Sequence, residues 1–141
     1  MVDSDRVHRL LAEITKRLAR LAQHAQRDRD DLLADETTLE STKYLLATAV
    51  EAAIDVAQHL CASEGWSAPD TNAAAFVALG RHGVIDRPLA QEMVSANGLR
   101  NVLIHGYAEV DDVRVLDALA DPRRLERFVA AVSAWLLEQG G

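Results

Sequence analysis

The sequence predicts an all-α fold, and three features carry that prediction. Apolar residues recur at three- and four-residue steps over long stretches, the β-branched residues are scattered rather than gathered into alternating runs, and alanine and leucine dominate while aromatics are only 4%. At 141 residues the chain has the length of one domain, 1–141, able to bury a core without disulfides or structural metals.

Val7, Leu10, Leu11, Ile14, Leu18 and Leu21 form one apolar stripe, predicting a first helix over roughly residues 3 to 28 with charged residues on its other face. The acidic stretch Asp28-Arg29-Asp30-Asp31 reads as a link. A second stripe through Leu39, Leu46, Val50, Ile54, Ala57 and Leu60 predicts a long helix from about 35 to 64, ended by Gly65. Ser67-Ala68-Pro69-Asp70 is turn-forming, and Ala73 to Leu79 makes a short helix that stops near Gly80 or Gly83. Asp86 and Pro88 read as the cap and first turn of another main helix, along which Leu89, Met93, Ala96, Leu99 and Leu103 step to Gly106. Asp111 to Leu119 reads as a short helical connection. Asp121-Pro122 then starts a last helix striped by Leu125, Phe128, Val132 and Leu136. The expected architecture is a bundle of four main helices plus short ones.

The one cysteine, Cys61, has no partner for an intrachain disulfide and sits beside Leu60 as a small buried hydrophobe, which fits a reducing compartment. No run approaches the length of about 18 unbroken apolar residues that a membrane helix needs, and the N-terminus (Asp3, Asp5, Arg6, His8, Arg9) lacks the apolar run of a signal peptide. The expectation is a cytoplasmic protein with no membrane association. A formal net charge of −7 weighs against nonspecific nucleic-acid binding, which rests on neutralising phosphates. A nuclease on this chain therefore needs its arginines gathered into a local cleft. No metal is expected: His59, His82 and His105 lack close ligand spacing, and a single cysteine excludes a multi-thiolate site. No phosphate loop and no strand-turn-helix nucleophile setting is present, and no cofactor is expected.

The chemistry concentrates in Arg100-Asn101-Val102-Leu103-Ile104-His105-Gly106-Tyr107. Metal-free RNA cleavage requires deprotonation of a ribose 2′-hydroxyl, stabilisation of charge on phosphorus and departure of the 5′-oxygen. An imidazole suits the proton transfers because it titrates near neutrality, which makes His105 a candidate. A guanidinium suits the charge that builds on the phosphate, which makes Arg100 another. Asn101, one turn before His105, is placed to orient the imidazole or bond the substrate. At about 100° per residue, however, Arg100 and His105 lie about 140° apart around an ideal helix. Either the helix ends early at Gly106 and lets His105 swing, or a second copy of the chain supplies the complementary group.

The pattern Arg-Asn, two apolar residues, Ile-His-x-Tyr and then Val110-Asp111 resembles that of the HepT-like toxins, a branch of the HEPN superfamily of all-α ribonucleases. The segment Glu51-Ala52-Ala53-Ile54-Asp55-Val56-Ala57-Gln58-His59-Leu60 resembles the second-helix segment of the same proteins, so the likeness spans most of the interior of the chain. The resemblance implies an HEPN-type bundle that dimerises with its motif helices meeting at a shared cleft. Glu51, Asp55 and His59 then act as supporting residues, and an Asp55–His59 hydrogen bond along the helix is sterically easy. It also implies a metal-independent endoribonuclease toxin acting on mRNA or tRNA, partnered by a minimal nucleotidyltransferase (MNT) antitoxin that transfers AMP to Tyr107. The alternative is a non-catalytic HEPN-type subunit in which Arg100 and His105 hold a nucleotide or dock a nucleotidyltransferase.

Overall fold

The computed structural model describes residues 2–67, 69–105 and 111–140. Among them the elements are all helices: α1 (Ser4–Ala25), α2 (Arg29–Ala34), α3 (Glu36–Ser63), α4 (Asn72–Arg81), α5 (Arg87–His105), α6 (Asp112–Ala120) and α7 (Arg123–Glu138). The four long helices are those that the apolar stripes predict. Helix starts carry side-chain caps: Asp86 accepts from Leu89 N at 2.8 Å as expected, and Asp3 accepts from Arg6 N at 3.1 Å and Thr71 from Ala74 N at 3.0 Å. Behind α3, Gly65 takes the left-handed φ of 69° that closes a helix C-terminus.

One connection is more ordered than the sequence suggests. The acidic link opens into α2, because Leu32 turns inward and packs with Leu21 and Leu39. The short helical connection expected from Asp111 to Leu119 is α6, capped by Asp111 on Val113 N at 2.9 Å and held by the burial of Val115, Leu116 and Leu119.

The long helix α3 is the centre of the bundle. Its composition would let it cross a membrane, but 67% of its apolar window is buried among the other helices. The main core gathers α1 (Val7, Leu11, Ile14), α3, α4 (Phe76, Leu79), α5 (Met93, Ala96) and α7 (Phe128, Val132), with Phe76 and Phe128 meeting edge to face at 5.8 Å. A second cluster joins Leu45 and Leu46 of α3 to α6 and receives Leu103 of α5. Because Arg100 meets Glu51 while the later Leu103 meets the region of Leu45 and Leu46, α5 runs antiparallel to α3.

Helices α4 and α5 pack very closely at Gly80, where a Cβ would come within 2.9 Å of Ala90 Cβ. Gly80→Ala should therefore destabilise the protein by about 1–3 kcal/mol in urea unfolding despite the better helix propensity of alanine, and Ala90→Gly in the same chain should restore much of the loss.

Acid sensitivity is built into the α1–α3 junction. Thr42 Oγ1 donates to Thr38 O at 2.8 Å, so His24 Nδ1, 2.9 Å away, is the donor to Thr42 Oγ1. Burial, then the nearby Arg20 and Arg27, hold this imidazole below its ordinary 6.5. Hydrogen bonds from Arg27 and Thr38 hold the Asp35 carboxyl well below 3.8, and Arg123 holds Asp121 down to about 2. In each case the unfolded chain takes up protons before the folded one does, so stability falls as pH falls. Thermal midpoints should decline in two stages, one as pH drops below 6.5 and one below 3.8, and His24→Gln should remove the first while leaving the second.

Candidate active site

The candidate site forms where the C-terminal part of α5 crosses the polar edge of α3. Arg100 is carried inward by its place beside Leu99 and Leu103, and its side chain is only 21% exposed. There Nη2 donates to Glu51 Oε1 at 3.2 Å and Nη1 donates to Asn101 Oδ1 at 3.0 Å. The Nε–H is buried and has no partner among the described residues. Glu51 itself is 39% exposed, and pairs this open contribute about 0–1 kcal/mol, so the contact orients the guanidinium more than it stabilises the fold.

Around this pair lies a recess of about 420 Å³ lined by Glu51, Ile54, Asp55, Gln58, Asn72 and Arg100. Glu51 and Asp55 are thus brought together with Arg100, as the second-helix segment implies. Gln58 and Asn72 were not singled out by sequence reasoning; Gln58 Nε2 donates to Asn72 Oδ1 at 3.4 Å and ties α3 to α4 at one side of the recess. Asn97 was also missed. It is buried on α5 with Oδ1 unpartnered, three residues before Arg100, and its signal is visible as a polar residue beside Ala96 within the apolar stripe.

His59 lies elsewhere. It sits eight residues beyond Glu51 on α3, about 12 Å along the axis, and its Nε2 accepts from Asp3 N at 3.1 Å and lies 3.2 Å from Ser63 Oγ. The start of α1, rather than the recess, engages this ring.

His105 is the last residue of α5 and is exposed, as is Asn101. The expected break that would let His105 swing does not occur before it: α5 is helical from Arg87 through His105, its last turns anchored by Leu103 against the second cluster. Arg100 and His105 therefore keep their separation of about 140° around the helix axis, the arginine turned toward α3 and the histidine toward solvent. Gly106 and Tyr107 lie outside the described residues. Among the described residues, no three His, Cys, Asp or Glu side chains gather closely enough to hold a metal ion.

Chemically, the recess presents one guanidinium between two carboxylates. Two of its five N–H groups are used by Glu51 and Asn101 and the Nε–H is buried, which leaves two Nη N–H groups for another acceptor. The neighbouring carboxylates oppose a phosphate, while Arg100 attracts one.

Comparison with known proteins places this arrangement in context. The family model described as Ribonuclease HepT-like matches residues 11–132. The tRNA nuclease HepT of Aphanizomenon flos-aquae is 30% identical over 109 residues, covering 77% of this chain and 74% of the relative. The mRNA nuclease HepT of Shewanella oneidensis is 27% identical over 120 residues, covering 84% and 90%. Among solved structures, a tri-AMPylated HEPN toxin of Shewanella oneidensis in complex with MNT antitoxin superposes with a TM-score of 0.85 at 25% identity, over 95% of this chain and 99% of the other.

Because the Arg100–Glu51 pair is half open to water, Glu51→Ala should change stability by no more than about 1 kcal/mol in urea unfolding. A loss several times larger would mean that the pair holds α5 against α3 rather than merely orienting the guanidinium.

Proposed function

From its membership in the Ribonuclease HepT-like family, to which this chain belongs, we propose that the protein is the toxin of a HepT/MNT toxin–antitoxin pair: a metal-independent endoribonuclease that cuts mRNA or tRNA. The observation that carries this reading is the placement of Arg100 and His105 on one unbroken helix end, within the Arg-Asn-x-x-x-His-x-Tyr pattern of the chain. The whole length, 1–141, is one HEPN-type domain acting in the cytoplasm.

A straight α5 cannot turn both groups toward one phosphate, so the working unit is a homodimer. Two motif helices face each other across a cleft, and Arg100 of one copy meets a phosphodiester that His105 of the other attends. His105 takes the proton from the ribose 2′-hydroxyl. The 2′-oxygen then forms its bond to phosphorus as the bond to the 5′-oxygen breaks, and a proton returned by imidazole completes the leaving hydroxyl. Arg100 holds two non-bridging oxygens as charge develops on them. Asn101 steadies the guanidinium, Glu51 and Asp55 set its orientation from α3, and His59 supports the site indirectly by fixing α3 to the start of α1.

The partner in this reading is an MNT-type nucleotidyltransferase antitoxin, which transfers AMP onto Tyr107; the tri-AMPylated structural relative supports it. Tyr107 stands two residues after His105, so phosphate added there brings a competing anion to the cleft and blocks the substrate phosphate. One observation favours a second reading, a non-catalytic subunit that binds a nucleotidyltransferase or nucleotide: Arg100 is already engaged by Glu51 in a carboxylate-bearing recess.

Inducible expression of the chain alone separates the two. Growth arrest and fragmented RNA with the parent, both abolished by His105→Ala or Arg100→Ala with activity down at least about 100-fold, is the expected result. Intact RNA and normal growth with soluble parent protein would favour the binding subunit.

A further inference from the structure

A second feature of the molecule is an open groove of about 410 Å³ between α5, α6 and α7, on a different side of α5 from the Glu51 recess. In a chain of net charge −7 it is unusually rich in arginine: Arg114, Arg123, Arg124 and Arg127 line it, against Glu92, Asp117 and Asp121. Each of those carboxylates already has a cation. Asp121 is held by Arg123 at 2.9 Å, Glu92 by Arg127 at 3.1 Å and Asp117 by Arg29 at 2.6 Å. Arg114 and Arg124 form no hydrogen bond or salt bridge among the described residues. Arg114 is exposed, whereas Arg124 is half-buried, and its desolvation is what a bound anion would offset.

We propose that this groove is a second phosphate-binding site, with Arg114 and Arg124 as its ligands, holding the RNA backbone to one side of the bond being cut. The inference rests on the nuclease reading and extends it from the scissile phosphate to the path of the strand. Arg124 also lines, together with Arg100, a small cavity of about 20 Å³ beneath Leu99, so the groove adjoins the catalytic arginine.

The lining argues for a nucleic-acid backbone over a protein partner. Among the described residues Leu99 and Ala118 are its only apolar lining, with no aromatic anchor of the kind that dominates protein interfaces. Its cations are suited to gripping phosphates, which carry no sequence information directly.

The test is binding of a 2′-O-methylated single-stranded RNA, which cannot be cleaved through its 2′-hydroxyl, across a salt series. Arg114→Ala/Arg124→Ala should bind about tenfold more weakly than the parent, with the slope of log affinity against log salt reduced by about 1.4. Asp121→Asn, which removes a competing anion while keeping an Arg123 N–H acceptor, should bind more tightly. Unchanged affinity and slope in the double variant would overturn the proposal, as would weaker binding by Asp121→Asn. Should the double variant fail to fold, Arg114→Glu, at an exposed position, serves in its place with the same expected sign. Failure of the nuclease reading looks different: the parent leaves unmodified RNA intact while binding of the methylated strand still depends on the two arginines.

Discussion

The burial of α3 is the constraint from which the arrangement of the molecule follows. This helix packs against each of the other six described helices, and the alanines at 47, 49, 52, 53 and 57 let those neighbours come close. A helix so enclosed has little surface left for water. Its open edge passes through Tyr44, Thr48, Glu51 and Asp55, spaced four, three and four residues apart, so both carboxylates of the recess lie on it. Helix α5 borders that edge and runs antiparallel to α3, which is why an arginine near its C-terminal end meets Glu51 across 49 residues of sequence. The position of Arg100 is thus a consequence of how the core closes around α3.

Much of this fold is legible in the sequence because helical periodicity and caps are local properties. The long stripes of α1, α3, α5 and α7, the caps at Asp3 and Asp86, and the stop at Gly65 can be read from neighbours a few residues away. Helix α2 is not legible that way, since its acidic residues read as a solvated link and only the burial of Leu32 against α1 and α3 makes it a helix. The site divides along the same line. Arg100, Asn101, Glu51 and Asp55 meet, but which cation finds which carboxylate depends on the rotation of two helices about their axes. The local i,i+4 relation of Asp55 and His59 suggested a hydrogen bond, yet the start of α1 reaches the ring first and takes its Nε2 as an acceptor for Asp3 N.

Net charge is a poor guide to this surface, for a related reason. Several of the arginines are spent on carboxylates at short range: Arg27 on Asp35, Arg29 on Asp117, Arg123 on Asp121, Arg127 on Glu92. Such pairs contribute little to stability and are largely screened at a distance, so the field a ligand meets is set by the cations left over and by where they stand. Arg114 and Arg124 are left over on one groove, and Arg100 keeps two Nη N–H groups unspent beside another cavity. An acidic chain can in this way carry local sites for anions while its overall charge disfavours indiscriminate binding.

The straightness of α5 bears most directly on how activity would be controlled. A helix that broke before His105 would bring imidazole and guanidinium together in a single copy, and each monomer would be complete. The helix instead runs through His105, and the two groups stay on different faces. On the proposed reading this makes the monomer incomplete and couples catalysis to association, so the active fraction depends on concentration. It also concentrates control at one point. A group attached just beyond His105 lies at the end of the motif helix, where the two copies would meet, and a phosphate there acts on both requirements: it competes with the substrate for Arg100, and it places charge in the cleft that dimerisation forms. A modification anywhere on the acidic outer surface would meet neither requirement, which gives a physical reason for the tyrosine to stand within the motif rather than apart from it.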